Sequence, residues 1–480
     1  MNYRKFLFSS SVYALGQVLN RSAVIILLPL YTTYLPTEEY GVLSLLNITS
    51  SLLTTVLPLG LVSSLFRFSF QKEGRIDHDL ISTVSYFLFI VETIMLFVLQ
   101  LFADKLTLLV FSDLAYLTQM RIMLVSLYLQ LLLLLPYAFV RIKEQPLYFV
   151  SVSFASVVIN ISTASLLIIK YDLGVTGVLV ANVVSGSFGI CAFLPAVFKT
   201  ILPRFDRALL KKALSFGLPL VPANLAAFVL YSSASYFLRH FQGLSDVGLY
   251  NLAFRFSSTY NFIIMSPFFL AWTPTMYKLA KGPDPKRRYI QVFEAFMLIS
   301  ITFYFLVCIA AKAVLPVLAG NVEYHTAYYP LPLLLSAAVF YGVYMFHLLA
   351  FMLTDHTGKT PFISVTSAGV SLLLNYLLIP VWGIYGAAAA VFFAYLNMAL
   401  ISYFWGQRLF PINYRWMKLL LLYLLVTGLV LLYYFLIPLY NLPLLFGSAL
   451  FLVILVGGVI WRWYGSRFRE VYRLIRPAEK

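Results

Sequence analysis

Two stretches of this 480-residue chain decide its fold: PLYFVSVSFASVVINISTASLLIIKYDLGVTGVLVA (146–181) and PFISVTSAGVSLLLNYLLIPVWGIYGAAAA (361–390). Each opens with a proline, carries an asparagine fourteen residues later, and stays apolar for long enough to cross a bilayer as a helix. Each then begins a second apolar run with the pattern Gly-x-x-Gly-x-x-x-Ala, at Gly174 and at Gly383. The matched spacing indicates a duplicated pair of membrane-spanning helices.

Apolar runs of this length recur along the whole chain. Hydrophobic residues make up 61% of the sequence and charged residues 11%, whereas a soluble domain has about 25% charged residues. This composition excludes a water-soluble fold and predicts an all-α polytopic membrane protein with about 14 transmembrane helices. The predicted spans are about 8–32, 42–66, 81–102, 119–140, 147–168, 174–197, 213–238, 250–275, 291–315, 329–353, 361–380, 384–405, 417–437 and 443–462.

The repeat extends upstream of these helices, because Glu-Tyr-Gly at 39–41 has a counterpart, Asp-Val-Gly at 246–248, six spans later. We therefore predict two pseudo-symmetric six-helix lobes, at 1–205 and 206–410, followed at 411–480 by two extra transmembrane helices and a basic cytoplasmic tail. Two similar lobes are typical of transporters that work by alternating access. The alternative is that the small residues serve only close helix packing.

The net charge of +16 is explained by membrane topology. With the N-terminus inside, 27 of the 34 Lys and Arg residues fall in inside segments. The outside loops hold only Lys105, Lys170, Arg239 and Lys312. Basic residues concentrate on the cytoplasmic side of membrane proteins, so we predict that both termini are cytoplasmic and that no nucleic-acid partner is involved.

Polar residues inside the spans are the candidate binding site. Arg21 shares a face of span 1 with Gln17 and Asn20, and an arginine at that depth costs about 2.5–3.5 kcal/mol on insertion scales. Span 2 adds Asn47, and the other lobe contributes Asn251 and Arg255 on one face of span 8, together with Ser258 and Thr259. Guanidinium groups suit phosphate oxygens, so these residues predict a cationic, substrate-binding cavity. The alternative is structural pairing with Glu92 or with backbone carbonyls.

Three further charged residues have two interpretations each. Arg67 and Arg141, at the inner ends of spans, either line the cavity or extend their side chains to the interface. Glu92, in the middle of span 3, either carries a coupling proton or sodium ion or neutralises Arg21 or Arg255. No other cofactor is predicted.

The sequence gives no sign of an enzyme. Thr357-Gly358-Lys359-Thr360 is similar to the end of a phosphate-binding loop, but Leu353 stands where the first glycine is required. Asp77-His78-Asp79 resembles a metal-binding acidic pair, yet its loop is short and no nucleotide-binding domain surrounds it. Cys191 and Cys308 lie in separate apolar runs. We predict no catalytic residues, no metal site and no disulfide.

Several stretches carry a family resemblance: LPLYTTYLPTEEYG (28–41), FGLPLVP (216–222), DVGLYNLA (246–253), AWTP (271–274), TGKTP (357–361) with Asn375, and GIYGAA (383–388). The chain resembles the polysaccharide transporter family, flippases for O-antigen and capsule repeat units within the multidrug, oligosaccharidyl-lipid and polysaccharide exporter superfamily. This resemblance implies alternating-access transfer of an undecaprenyl-diphosphate-linked oligosaccharide to the outer leaflet of the bacterial cytoplasmic (inner) membrane. The implied partners are that lipid-linked substrate, membrane lipids and the polysaccharide polymerase and chain-length machinery.

One departure from the family stands out. Ala234-Ser235 occupies positions where relatives often have an Asp-Arg pair. Three alternatives stay open: a cation-coupled multidrug exporter, a membrane glycosyltransferase or polymerase, and a non-transporting scaffold of glycan assembly.

Overall fold

The apolar runs of the sequence form helices. The computed structural model describes residues 26–69, 77–198, 200–437, 444, 447–459 and 462, and the regular structure within them is helical throughout. Helices are expected because hydrocarbon offers backbone N–H and C=O groups no water to bond. Within these residues nine helices are long and apolar enough to cross a membrane, or ten if the bent pair Thr37–Val56 and Leu61–Phe68 counts as one span. The prediction of an all-helical, multi-pass membrane protein is confirmed.

The described residues up to Phe228 form one compact unit. Within it α6 packs on α8, α7 packs on α8, and the short α9 packs against α3 and α4. The helices are α1 (26–34, its described part), α2 (Thr37–Val56), α3 (Leu61–Phe68), α4 (His78–Leu101), α5 (Ala103–Phe111), α6 (Leu117–Ile142), α7 (Pro146–Ile169), α8 (Gly174–Phe198), α9 (Arg207–Gly217) and α10 (Leu220–Phe241), which continues into the second unit.

The second compact unit begins at Val229. In it α14 packs along α15, α11 packs on α14, and α13 packs on α16. The helices after α10 are α11 (Leu244–Tyr260), α12 (Ser266–Ala280), α13 (Pro285–Leu318), α14 (Leu331–Leu353), α15 (Thr360–Leu409), α16 (Trp416–Leu436) and α17 (Gly447–Val459). Short 3₁₀ turns at Val322–Tyr328 and Thr357–Lys359 precede α14 and α15.

The two opening stretches of the sequence fold as the same motif. Pro146 and Pro361 each lie in the first turn of a helix, where the missing N–H costs nothing. Gly174, with φ +48°, and Gly383, with φ +51°, each reverse the chain in the left-handed region that glycine tolerates. Residues 361–380 and 384–405, predicted as two spans, are therefore the two arms of α15, which is bent at Gly383.

Predicted span 8 (250–275) is helical along its length and contains a π-helical turn. It consists of α11, a π-helical turn at Asn261–Met265, and α12, whose first turn contains Pro267. A proline lacks the N–H that a continuous α-helix would use, and a π turn shifts the hydrogen-bond register at that point. Arg255 thus lies within about two turns of the π turn.

Predicted span 2 (42–66) is broken, at a contact between two backbones. Gly60, with φ +69°, starts α3 and lies directly against Gly217 at the end of α9. A methyl group built on Gly217 would lie 2.6 Å from the carbonyl oxygen of Leu59 and 2.9 Å from the carbonyl carbon of Gly60. Gly217, the glycine of the FGLPLVP stretch, therefore permits the end of α9 to lie close to the turn between α2 and α3.

The prediction that Lys312 lies in an outside loop is wrong. The residue lies within α13 and is 1% exposed. Its Nζ donates hydrogen bonds to the carbonyl oxygens of Tyr433 at 3.0 Å, Tyr434 at 2.8 Å and Ile437 at 2.7 Å. These carbonyls lie at the end of α16, where backbone acceptors exceed the N–H donors of the helix. Tyr433 also accepts from the N–H of Ile437 at 3.4 Å. The ammonium completes this cap, and its positive charge is favourable at the negative end of the helix dipole.

Replacing Gly217 by alanine is expected to lower the melting temperature of the purified protein. The new methyl group meets fixed backbone, and overpacking typically costs about 1–3 kcal/mol. Gly369→Ala is the matched control, because a Cβ at Gly369 in α15 meets nothing within 4 Å. Equal melting temperatures for the two variants would contradict the proposed backbone contact.

Replacing Lys312 by methionine is expected to destabilise the second unit. A buried polar group left without a partner costs about 1–3 kcal/mol, and all three carbonyls lose the hydrogen bond from the ammonium. The change is measured by thermal unfolding and by protease cleavage after α16. Lys105→Met, which removes an exposed lysine, is the control, and equal stability of both variants would refute the capping role of Lys312.

Candidate functional site

The first predicted face lies outside the described residues. Arg21, Gln17 and Asn20 precede residue 26, where the described part of α1 begins. Their place in a cationic cavity stays a prediction. Asn47, the predicted polar residue of span 2, is described and is exposed on α2. The hydroxyls of Thr54 and Thr55, on the same helix, donate hydrogen bonds to backbone carbonyls of that helix.

Arg255 lies on α11 beside tyrosines from several helices. Its side chain is half-buried, and its charge acts on the hydroxyl of Tyr231 on α10. Arg255 also interacts with other neighbouring groups. Ser258 and Thr259, predicted on the same face, donate their hydroxyls to the carbonyls of Arg255 and Phe256. The guanidinium is therefore the main cationic group on this face.

The tyrosines form a group that we call the tyrosine cluster: Tyr231, Tyr250, Tyr341 and Tyr395. Tyr395 on α15 lies near the other three, and its ring lies 5.2 Å from that of Tyr341 on α14. Tyr231 and Tyr250 both pack on Phe254, the residue before Arg255, at 4.6 Å and 6.0 Å.

Phenolic hydroxyls both donate and accept hydrogen bonds. The hydroxyl of Tyr250 is buried without a hydrogen-bond partner among the described residues. A guanidinium beside hydroxyls of this kind suits the oxygens of a phosphate or a sugar.

Asn251 has a structural use. Its Nδ2 donates to the Oγ of Ser235 at 3.0 Å and to the carbonyl of Val247 at 2.8 Å. Ala234 and Ser235 are each 1% exposed, so the Ala-Ser pair packs α10 against α11. An Asp-Arg pair at these positions would place two charges in this packed contact, which explains why small residues suit this chain.

Asparagines from the two matched stretches tie helices together. Nδ2 of Asn160 donates to Oδ1 of Asn182 at 2.9 Å, joining α7 to α8. Nδ2 of Asn375 donates to the Oγ of Ser233 at 3.0 Å, joining α15 to α10. Interhelical amide bonds of this kind stabilise packing in lipid. The matched asparagines thus have a structural role in both units.

Glu92 is buried in the first unit. It lies near the middle of α4, is 2% exposed, and its Oε2 accepts no hydrogen bond from any described residue. One turn earlier, Leu88 packs into an apolar cluster with Val84 and Leu135. Charging a carboxyl group in such surroundings is costly. Arg21, predicted as a possible partner of Glu92, lies outside the described residues.

Arg67 and Arg141 lie at the exposed ends of their helices. The guanidinium of Arg67 is 4.3 Å from the ring centre of Phe216, and that of Arg141 is 5.1 Å from the ring centre of Phe66. Lys212 lies 4.7 Å above the ring of Phe68. These cation–π contacts gather three positive charges around the end of α3, so both arginines belong to a basic surface of the first unit.

The Asp77-His78-Asp79 sequence has structural roles. Asp77 caps α4 by accepting from the backbone N of Leu80 at 3.1 Å, and His78 contacts the carbonyl of Thr200. Asp79 pairs with Arg204 at 3.4 Å. No cluster of three potential metal ligands occurs in the described part of the chain.

The tyrosine cluster was missed at the sequence level. Its four members come from four helices and lie up to 164 positions apart in a chain with 34 tyrosines. Only the spacing of Tyr250, Phe254 and Arg255 on α11 hinted at a tyrosine-bearing face beside the arginine.

The sequence profile of a family described as polysaccharide biosynthesis protein matches residues 6–280. No curated protein sequence matches the chain.

Solved structures share the fold at low sequence identity. A lipid II flippase, MurJ, in an inward closed conformation superposes with a TM-score of 0.73 and 12% identity, over 94% of this chain and 98% of that chain. An inward-facing multidrug resistance MATE family transporter of the MOP superfamily superposes with a TM-score of 0.61 and 15% sequence identity, over 81% of this chain and 94% of that chain. A MOP superfamily transporter from Pyrococcus furiosus superposes with a TM-score of 0.51 and 15% sequence identity, over 84% of this chain and 93% of that chain.

Proposed function

This chain belongs to the polysaccharide biosynthesis protein family, and on that premise we propose that it is a flippase for cell-surface polysaccharide biosynthesis. It carries an undecaprenyl-diphosphate-linked oligosaccharide from the cytoplasmic to the outer leaflet by alternating access. The fold it shares with transporters of the MOP superfamily, among them a protein named as a lipid II flippase, supports a lipid-linked substrate.

The observation that carries this proposal is Arg255 beside the tyrosine cluster. An ionisable residue within a membrane helix marks a substrate or ion pathway by default, because its burial is costly. The guanidinium binds the diphosphate through paired hydrogen bonds, and the tyrosines offer hydroxyls and ring faces to the first sugars. Arg21, Gln17, Asn20 and Asn47 form the corresponding cationic face of the first lobe in this proposal.

The basic residues also suggest where the substrate is first met. The charges of Arg67, Arg141 and Lys212 surround the end of α3 on the side that the count of basic residues assigns to the cytoplasm. We propose that they attract the anionic substrate from the cytoplasmic leaflet of the bacterial inner membrane. Polymerase and chain-length machinery would then act on the unit after its transfer.

Substitution of Arg255 tests the proposal. In cells that depend on this protein for surface polysaccharide, Arg255→Ala is expected to reduce export about tenfold or more, because hydrogen bonds to a charged group contribute about 1.5–3 kcal/mol. Arg255→Lys is expected to retain part of the export, because it keeps the charge and loses the paired donors. Export is measured as surface glycan per inserted protein, and Arg21→Ala is tested in parallel.

Arg287→Ala is the control, since Arg287 is an exposed residue of the first turn of α13. Normal export by an inserted Arg255→Ala variant would refute the role of Arg255. Drug resistance conferred by the wild-type protein, with no glycan defect on deletion, would favour the multidrug exporter instead.

We propose that Glu92 carries the coupling cation, H⁺ or Na⁺. Its buried carboxyl group, with an unpaired Oε2, supports this role. In proteoliposomes, Glu92→Gln is expected to abolish the response of transport to an imposed pH or sodium gradient, because the amide neither titrates nor binds a cation as a carboxylate does. Glu323→Gln, at an exposed position, should leave the response unchanged. A gradient response that survives Glu92→Gln would exclude the coupling role.

A further inference from the structure

A cavity of about 390 Å³ lies where the two ends of α15 meet. Its volume falls in the range of about 300–1,000 Å³ that is usual for small-molecule sites. None of its residues belongs to the tyrosine cluster or to the proposed substrate route. The lining residues are Gly358, Lys359, Phe362, Trp405, Arg408 and Leu409.

The cavity combines two cations with an aromatic wall. Lys359 and Arg408 are exposed, and their charged groups form no hydrogen bond or ion pair with another described residue. The rings of Phe362 and Trp405 are stacked at 5.7 Å with an interplanar angle of 20°. Asp355, the acidic residue of the preceding turn, is not among the lining residues. The site is therefore positive on one side and apolar on the other.

The position of the cavity places it at a membrane interface. Thr357–Lys359 precedes the first arm of α15, and Trp405 and Arg408 end its second arm. Both arms are apolar and long enough to cross the bilayer, so their ends lie at headgroup depth, where tryptophan side chains concentrate. The count of basic residues assigns this end to the cytoplasmic side.

Exposed apolar side chains continue from the cavity along both arms of α15. On a membrane helix such side chains face lipid chains. Gly369 lies about two turns after Phe362. A Cβ atom built on Gly369 would have no neighbour within 4 Å, so the surface is open there. The exposed apolar residues are Phe362, Val365, Leu372, Leu373, Tyr376 and Leu377 on the first arm, and Phe393, Leu400 and Phe404 on the second.

We propose that this cavity binds the phosphate headgroup of an anionic phospholipid of the cytoplasmic leaflet. Arg408 donates paired hydrogen bonds to the phosphate, and Lys359 adds a second positive charge. The stacked Phe362 and Trp405 receive the glycerol backbone, and the acyl chains lie along the apolar residues of α15. Basic pockets between membrane helices bind anionic headgroups in this way. A free phosphate shares the charge but gains nothing from the apolar surface.

Native mass spectrometry of the purified full-length protein, titrated with phosphatidylglycerol, tests this site. The double variant Lys359→Gln with Arg408→Gln is expected to bind phosphatidylglycerol about thirtyfold more weakly than the wild type. The matched control is Lys278→Gln with Arg287→Gln, which removes the same charges from exposed positions assigned to the same side. The control should bind like the wild type, and phosphatidylcholine should not distinguish the three proteins.

Each other outcome has a defined meaning. Equal weakening in the double variant and its control would overturn the proposal, because the effect would be a general one of charge. Displacement of phosphatidylglycerol by millimolar inorganic phosphate would identify a free-anion site and also overturn it. If the double variant does not fold, Arg408→Lys alone must weaken binding several-fold and Phe362→Ala must do the same, and wild-type binding by both would refute the site.

Discussion

Hydrocarbon supplies no hydrogen bonds to the backbone, and the rest of this structure depends on that constraint. It makes every span helical and requires that each interruption be repaired by protein groups. The turn before α3 is made by Gly60 against Gly217, and the reversal in α15 by Gly383. At the end of α16 the repair is made by Lys312, whose ammonium takes the place of water.

Much of the fold follows from the sequence, because hydrophobicity and length alone identify a spanning helix. Each predicted span from the second to the thirteenth coincides with described helical structure. The break within span 2, the π turn within span 8 and the burial of Lys312 did not follow. They arise from contacts between segments distant in the chain, such as Gly60 with Gly217 or Lys312 with Tyr434, which a hydropathy pattern cannot register. The lobe boundaries at 205/206 and 410/411 stay predictions.

The candidate site was predictable only in its charges. Arg255 and Glu92 stand out because charged residues are rare in apolar runs, and the structure places both within helices, with Glu92 buried and Arg255 half-buried. The tyrosine cluster around Arg255 depends on the packing of α10, α11, α14 and α15. Tyrosine is common in this chain, so no single position carried a signal. Asn251, predicted as a ligand, is bonded to Ser235, because small residues at 234 and 235 let α10 and α11 approach closely.

The bonds made by Lys312 have a mechanical consequence. They attach the end of α16 to α13 through three carbonyls inside the protein, and separating the helices would expose a charge and remove three hydrogen bonds at once. We therefore expect α16 and α13 to move together as one body. A label on α16 would then follow any displacement of α13.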